Sequence, residues 1–226
     1  MLSERKMILA TTQIDFLGMT INNSQYHLQP HVAKKLLEFP DMLSTTKDIQ
    51  QFLGIVNYMS PFIKNLSHLT KPLYDMLKKN PPPWNFQQTK AVQQLKRLTD
   101  NLPPLQIPSN GKRILQTDAS DEHWGAVLLE EINGNRNICG YQSGHFKPSE
   151  THYHSTFKEI LAVKNGIKST KDVHPEQWLL FKVEMSQLNG LPHTFIDSTS
   201  FRQADHPLSQ SPATALDAFV KNTIRE

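Results

Sequence analysis

Three acidic residues in the second half of the chain have the type and placement that phosphodiester chemistry uses. Asp118 ends an apolar run in "ILQTDAS", Glu159 lies in a helical pattern, and Glu184 ends the run "QWLLFKVEM". Converging carboxylates form an all-oxygen cluster suited to hard cations such as Mg²⁺, and two such ions can activate a water for phosphodiester hydrolysis. From spacing alone the alternative is a hairpin turn and solvated ends of strands and helices.

The elements that would position these acids follow from periodicity. Residues 112–118 and 124–132 have strand patterns, Asn133-Gly134 is a strong hairpin signal, and "RNICGYQSGHF" predicts a third antiparallel strand. "QWLLFKVEM" predicts a fourth strand. Between them, "SETHYHSTFKEILAVKNGI" predicts a helix with Glu159 beside its apolar face. That face is formed by Tyr153, Phe157, Ile160, Leu161 and Ile167.

The first half of the chain predicts a hairpin and a helical module. "TQIDFLGMTINNSQYHLQP" alternates around Asn22-Asn23, as a hairpin does. A capping box of Thr45 and Asp48 opens one predicted helix, a second begins at Thr70 with Pro72 in its first turn, and "NFQQTKAVQQLKRLTD" predicts a third. The Pro- and Gly-containing stretch 101–111 is typical of a domain boundary.

Composition narrows the class of protein. Up to residue 110 the chain has 12 Lys+Arg and 7 Asp+Glu, and beyond it 12 and 14, so the basic half comes first. That asymmetry suits a phosphate-facing module followed by an acidic one. The single cysteine, Cys139, excludes an internal disulfide framework. No apolar stretch approaches the ~20 residues of a membrane span, and no secretory signal is seen at the start. We therefore expect an intracellular protein, cytoplasmic or nuclear, that is neither secreted nor bound to a membrane.

Longer strings resemble a known family. "FLGMTI", "LQPHVAKKLLEFP", "TKDIQQFLGIVNYMSPFIKNLSHLTKPLYDMLKK", "LQTDASDEHWGAVL" and "CGYQSGHFKPSETHYHSTFKEILAV" stand in the order seen in the Pol polyproteins of plant pararetroviruses (the caulimovirus family) and, less closely, of Ty3/gypsy-type retrotransposons. The resemblance covers roughly residues 5 to 190, and long strings in matching order are more specific than any short motif.

The resemblance implies an α+β fold in three parts. Residues 1–105 would be the C-terminal part of a reverse transcriptase, with a palm-end primer-grip hairpin and a helical thumb/connection module. Residues 106–190 would be a truncated ribonuclease H-like domain with a mixed sheet and helices. Residues 191–226 lie beyond the resemblance as a divergent tail, in which the residues themselves predict a terminal helix with Ser211 as N-cap.

The resemblance also assigns site residues. Asp118, Glu159 and Glu184 would be the catalytic carboxylates and ligands of two Mg²⁺ or Mn²⁺ ions, although the family has an aspartate where this chain has Glu184. The longer side chain moves the carboxylate by over an ångström, and Mg²⁺ demands near-ideal octahedral geometry. Residues for contacts with an RNA/DNA hybrid or duplex would be Phe16, Leu17, Gly18, Lys34, Lys35, Lys64 and Lys71.

Two functions remain open from the sequence. The family's activity in this region is metal-dependent hydrolysis of RNA in RNA/DNA hybrids, and the Tyr-x-Asp-Asp turn that its polymerase requires is missing from these residues. We therefore expect no polymerisation by this chain alone. The alternative is a non-catalytic, nucleic-acid-binding remnant of an integrated viral element. The sequence predicts no oligomeric state.

Overall fold

A computed structural model of the chain describes residues 11–171 and the backbone of two further strands, 181–185 and 196–197. The fold is α+β, as predicted, with two β-sheets and five α-helices in these residues. None of the helices in this part of the chain is both long and apolar enough to cross a bilayer.

The first sheet has the strand order β1-β2-β3-β4 and is antiparallel throughout. The predicted hairpin is present, but its turn lies at Asn23-Ser24, one residue later than the predicted Asn22-Asn23, because Asn22 pairs with Gln25 as the last residue of its strand. A second tight turn at Leu17-Gly18, which the alternation did not reveal, separates β1 from β2; all four turn residues have positive φ. The strands are β1 (Gln13–Phe16), β2 (Met19–Asn22), β3 (Gln25–Leu28) and β4 (Leu105–Gln106).

Four helices pack beside this sheet around an apolar core that includes Phe52, Leu73 and Leu95. The predicted capping box is present, since the Thr45 hydroxyl accepts from the Asp48 N–H and the Asp48 carboxylate accepts from the Thr45 N–H. These contacts satisfy two N–H groups that a helix start leaves free. The helices are α1 (Pro30–Leu37), α2 (Thr46–Tyr58), α3 (Leu66–Asp75) and α4 (Phe86–Thr99).

The predicted start of the second helix was wrong. Helix α3 begins at Leu66, four residues before Thr70, and Pro72 lies inside it. A proline in a helix interior removes one backbone hydrogen bond. Packing outweighs that loss here, because Leu66 and Leu73 lie seven residues apart on one face and both are buried in the core.

The second sheet has the order β7-β6-β5-β8-β9 and is mixed, because β5 and β8 run parallel while the other pairs are antiparallel. The predicted Asn133-Gly134 hairpin joins β6 to β7, and both residues have positive φ. The strands are β5 (Lys112–Ala119), β6 (His123–Ile132), β7 (Asn135–His145), β8 (Phe181–Met185) and β9 (Ile196–Asp197), and helix α5 (Ser155–Lys171) packs on β5 and β6.

The predicted apolar face of α5 was partly wrong. Tyr153 and Phe157 are 48% and 61% exposed, whereas Glu159, predicted beside the face, is buried within it. Tyr153 precedes the helix, which begins at Ser155. Helix and sheet approach closely at Gly166, where an added Cβ would lie 3.1 Å from the Ala126 side chain. Small residues, and not the large aromatic ones, therefore set the contact.

The helical module and the second sheet touch along β7. The Tyr26 hydroxyl donates to the Cys139 carbonyl at 2.8 Å, and the Ser67 N–H donates to the Ser143 hydroxyl at 3.0 Å. Strand β4 spans the predicted division between residues 105 and 106, and the proposed three-part division stays a prediction. The predicted terminal helix lies outside the described residues.

Candidate functional site

Asp118 lies where β5 leaves the core. Ile114 and Leu115 of that strand are buried, whereas Asp118 is exposed and is paired in register with Gly125 of β6. A carboxylate at the end of a buried strand keeps its hydration only if the strand delivers it to the edge of the sheet. The strand therefore presents Asp118 to solvent while its backbone stays fixed.

Glu159 is brought to the same edge by α5. Its side chain is only 6% exposed, and it accepts a hydrogen bond from the backbone N–H of Ala119, the residue after Asp118. Its Oε2 atom is buried and has no hydrogen-bond partner in the described part of the chain. Helix and strand thus place the second predicted carboxylate beside the first.

The electrostatics of the pair are unfavourable for two charges. The pKa of Glu159 is raised to about 7, first because burial disfavours the charged carboxylate and then because Asp118 adds like charge, while the Ala119 hydrogen bond acts in the opposite direction. The fold therefore favours the protonated form of Glu159 when no cation is bound. A divalent cation would replace that proton and relieve the repulsion.

The residues present fit a hard cation. Mg²⁺ and Mn²⁺ bind oxygen ligands. Asp118 and Glu159 supply carboxylate oxygens, and the buried Oε2 of Glu159 has no hydrogen-bond partner among the described residues. Among the described side chains, no group of three or more His, Cys, Asp or Glu converges closely enough to hold a metal ion. The described side chains thus supply two carboxylates of the predicted set, Asp118 and Glu159.

The backbone position of Glu184 is known from the pairing of β8. It lies in register with Gln116, two residues before the level of Asp118. At about 3.3 Å per residue, that is an offset of roughly 7 Å along the strands. The strand is thus adjacent to that of Asp118, and the role of Glu184 as third ligand stays a prediction.

Two residues beside the carboxylates were not singled out from the sequence. Lys158 of α5 is 7% exposed, and its ammonium lies 3.1 Å from Oδ1 of Asp121 in the β5–β6 turn. Asp121 follows Asp118 by three residues and Lys158 immediately precedes Glu159, so adjacency to the predicted acids was the available signal. The burial of a lysine, however, is not visible in sequence.

Part of the predicted nucleic-acid surface forms one cleft. Leu17, Gly18 and Lys35 line a cleft of about 910 Å³ between the first hairpin turn, α1 and α2. Leu17 is 76% exposed, and the preceding Phe16, which does not line the cleft, is 59% exposed. The hydroxyl of Tyr58, which the sequence analysis did not single out, donates to the Leu17 carbonyl and fixes the turn against α2.

The other lysines predicted to contact nucleic acid lie on different elements of the helical module. Lys34 is exposed in the last turn of α1 near the cleft, and Lys64 is exposed just before α3. Lys71 forms an ion pair with Glu122 in the β5–β6 turn. Lys34 and Lys35 thus lie on α1, whereas Lys64 and Lys71 lie just before and within α3, and the contacts of all four with nucleic acid stay predictions.

Comparison with known proteins agrees with this architecture. Residues 84–176 match the model of the RNase H-like domain found in reverse transcriptase. The chain is 58% identical over 168 residues to the genome polyprotein of Petunia vein clearing virus, covering 74% of this chain and 8% of that protein. It is 42% identical over 173 residues to the enzymatic polyprotein of Cauliflower mosaic virus, covering 74% of this chain and 25% of that protein. The chain thus spans a quarter or less of these relatives.

Solved structures share the fold. The foamy viral protease-reverse transcriptase in complex with dsDNA aligns with a TM-score of 0.70 at 18% identity, covering 96% of this chain and 44% of that one. The same enzyme in complex with an RNA/DNA hybrid aligns with a TM-score of 0.70 at 16% identity, covering 96% and 29%.

Proposed function

Because this chain belongs with the polyproteins of plant pararetroviruses and carries their reverse-transcriptase RNase H-like domain, we propose that it is a divalent-metal-dependent ribonuclease H that cleaves the RNA strand of RNA/DNA hybrids. The observation that carries the proposal is the pairing of Asp118 with the buried Glu159, whose Oε2 is orphaned within the described residues.

Asp118 and Glu159 would hold Mg²⁺ or Mn²⁺, with Glu184 as the third ligand. Bound there, two ions would supply an activated water and stabilise the leaving oxygen. The chain's own residues orient the site: β5 fixes Asp118, and the Ala119 N–H orients the Glu159 carboxylate. Binding of the hybrid along the cleft at Leu17, Gly18 and Lys35 belongs to the proposal and is supported by the complexes that the structural neighbours form.

The test is cleavage of a labelled RNA/DNA hybrid by the purified chain in Mg²⁺ or Mn²⁺. Since a misplacement of 1 Å can already cost about 100-fold in rate, we expect Asp118→Asn and Glu159→Gln each to lower the rate by about 100-fold or more. Asp100→Asn is the matched control, because Asp100 is an exposed aspartate at the end of α4, and it should retain the wild-type rate.

The same assay separates the second candidate, binding without cleavage. That candidate is favoured by the offset of Glu184 from Asp118. If wild type binds the hybrid in a salt-dependent manner but no metal supports cleavage, the chain is a binding module. Cleavage that survives Asp118→Asn would come from another site or a contaminant and would overturn the assignment.

A further inference from the structure

The β5–β6 turn carries two adjacent acids, and each pairs with a lysine of a different element. Asp121 accepts from Lys158 of α5 at 3.1 Å, and Glu122 pairs with Lys71 of α3. The turn directly follows the strand end that presents Asp118. It is thus tied on one side to the helix of Glu159 and on the other to the helical module.

The two ion pairs differ in burial. The side chain of Lys158 is 8% exposed although that of its partner Asp121 is fully exposed, whereas Lys71 and Glu122 are 41% and 54% exposed. A lysine is almost never buried without a partner, because desolvating an ammonium is costly. The Lys158 ammonium is therefore confined to the place where Asp121 meets it.

Confining Lys158 also confines its neighbour. Lys158 and Glu159 are consecutive in the first turns of α5, and Ala119, at the base of the same β5–β6 connection, donates its N–H to Glu159. Two links therefore join the end of β5 and its turn to this part of α5. Together they fix how far the Glu159 carboxylate lies from Asp118.

We propose that Lys158 and Asp121 are positioning residues for a divalent cation held by Asp118 and Glu159, an inference that rests on the proposed function. Mg²⁺ and Mn²⁺ sites depend on ligand geometry, and loss of an outer partner that orients a ligand typically lowers metal affinity by about 10- to 100-fold. Neither residue contacts the ion; each acts through the helix and the turn.

A purely electrostatic role makes the opposite prediction for Lys158. Removing a positive charge near a cation site strengthens cation binding, whereas removing a positioning contact weakens it. For Asp121 both roles predict weaker binding, so Asp121 alone does not separate them. The sign of the effect at Lys158 is decisive.

The experiment is titration of the full chain with Mn²⁺, followed by calorimetry and by the electron paramagnetic resonance of free Mn²⁺, without nucleic acid. We expect Lys158→Met and Asp121→Asn each to weaken Mn²⁺ binding by about 10-fold, and Lys158→Arg to recover most of the affinity. Glu122→Gln is the matched control. It removes the same charge from the next residue in a more exposed pair, and it should stay within about twofold of wild type.

Asp121→Asn protects the test against misfolding, because the Asp121 side chain is fully exposed. If Lys158→Met tightens Mn²⁺ binding or leaves it unchanged while Asp118→Asn abolishes it, the positioning role is overturned and the metal site stands. If Asp118→Asn binds Mn²⁺ as wild type does, the metal site itself is absent, and the proposed function and this inference fail together.

Discussion

Two buried glutamates of the RNase H-like region are held in opposite ways. Glu130 of β6 is fully buried, and its Oε1 accepts from the Ser109 N–H at 2.7 Å, the Ser109 hydroxyl at 2.9 Å and the Gly111 N–H at 2.9 Å. Glu159 is 6% exposed, accepts from the Ala119 N–H, and faces the like charge of Asp118.

An orphaned oxygen alone does not distinguish these glutamates, because Oε2 of each has no hydrogen-bond partner in the described residues. The difference lies in the neighbours. Glu130 is the register partner of Arg113 on the neighbouring strand and holds the 109–111 loop to the sheet through three donors, so its carboxylate is stabilised by groups within the fold. Glu159 lies near Asp118, and the like charge of Asp118 disfavours the ionised form of Glu159 unless a cation binds. Donors thus mark a structural carboxylate, and a like charge marks a functional one.

The largest effect should come from removing the structural carboxylate. Glu130→Ala removes the fully buried carboxylate that accepts all three hydrogen bonds from the 109–111 loop, and we expect a loss of about 3 kcal/mol in the free energy of unfolding, measured by urea denaturation. Glu131→Ala is the control, since Glu131 pairs with Arg136 at the surface and should cost less than about 1 kcal/mol. If Glu130→Ala lowered the free energy of unfolding no more than Glu131→Ala does, Glu130 would not be a structural carboxylate.

The functional carboxylate should behave in the opposite way. Its pKa is raised to about 7, so the proton bound to Glu159 stabilises the fold below the unfolded value near 4.5, and that stabilisation is lost as pH rises through 7. Glu159→Gln removes the buried charge. We therefore expect the metal-free variant to be more stable than wild type by about 2 kcal/mol at pH 8, with the difference disappearing only below the unfolded value near 4.5.

Asp118→Asn sharpens this test, because it removes the like charge and leaves the burial of Glu159. Its gain at pH 8 should be smaller than that of Glu159→Gln, since burial is the larger cause of the raised pKa. Both gains should be measured by thermal unfolding in a chelator. Loss of stability in Glu159→Gln at pH 8 would mean that Glu159, like Glu130, is held by donors.

Local signals predicted most of the fold. The capping box at Thr45 and the Asn133-Gly134 turn depend on residues near one another in sequence, and both are observed. The buried face of α5 depends on how closely a helix approaches a distant sheet. Gly166 sets that approach, and periodicity cannot distinguish it from a helix whose large side chains face inward.

The same division explains the site. The placement of Asp118 at a strand end and of Glu159 on a helix followed from local patterns, and both are observed; their catalytic roles come from the family resemblance and stay predictions. The ion pair of Lys158 and Asp121 was not predictable, since a lysine in a helix is normally solvated, and its burial follows from the packing of α5. For Glu184 the pairing of β8 supplies a register that no sequence pattern could give.

The smallest expected effect on stability concerns His123. Like Glu159, it lies near groups of its own charge sign. The ring of His123 lies 4.5 Å from that of His145 and 5.1 Å from that of His68, between centroids. The pKa of His123 is lowered to about 4 by burial, then by His145, His68 and Lys71, against a weaker opposite effect of Glu122. Neutral His123 is therefore favoured in the fold at the contact between α3 and the second sheet.

Stability from a lowered histidine pKa is present above the unfolded value of 6.5 and is lost as pH falls towards 4. Because His123 is partly exposed and screened, we expect a loss of only about 1 kcal/mol over that range in wild type. His123→Gln should reduce this acid-dependent loss, whereas His27→Gln, at an exposed position of β3, should not. The free energy of unfolding at pH 7, 5.5 and 4 measures both. Parallel curves for wild type and His123→Gln would show that like charge at this junction, unlike that at Glu159, is fully screened by solvent.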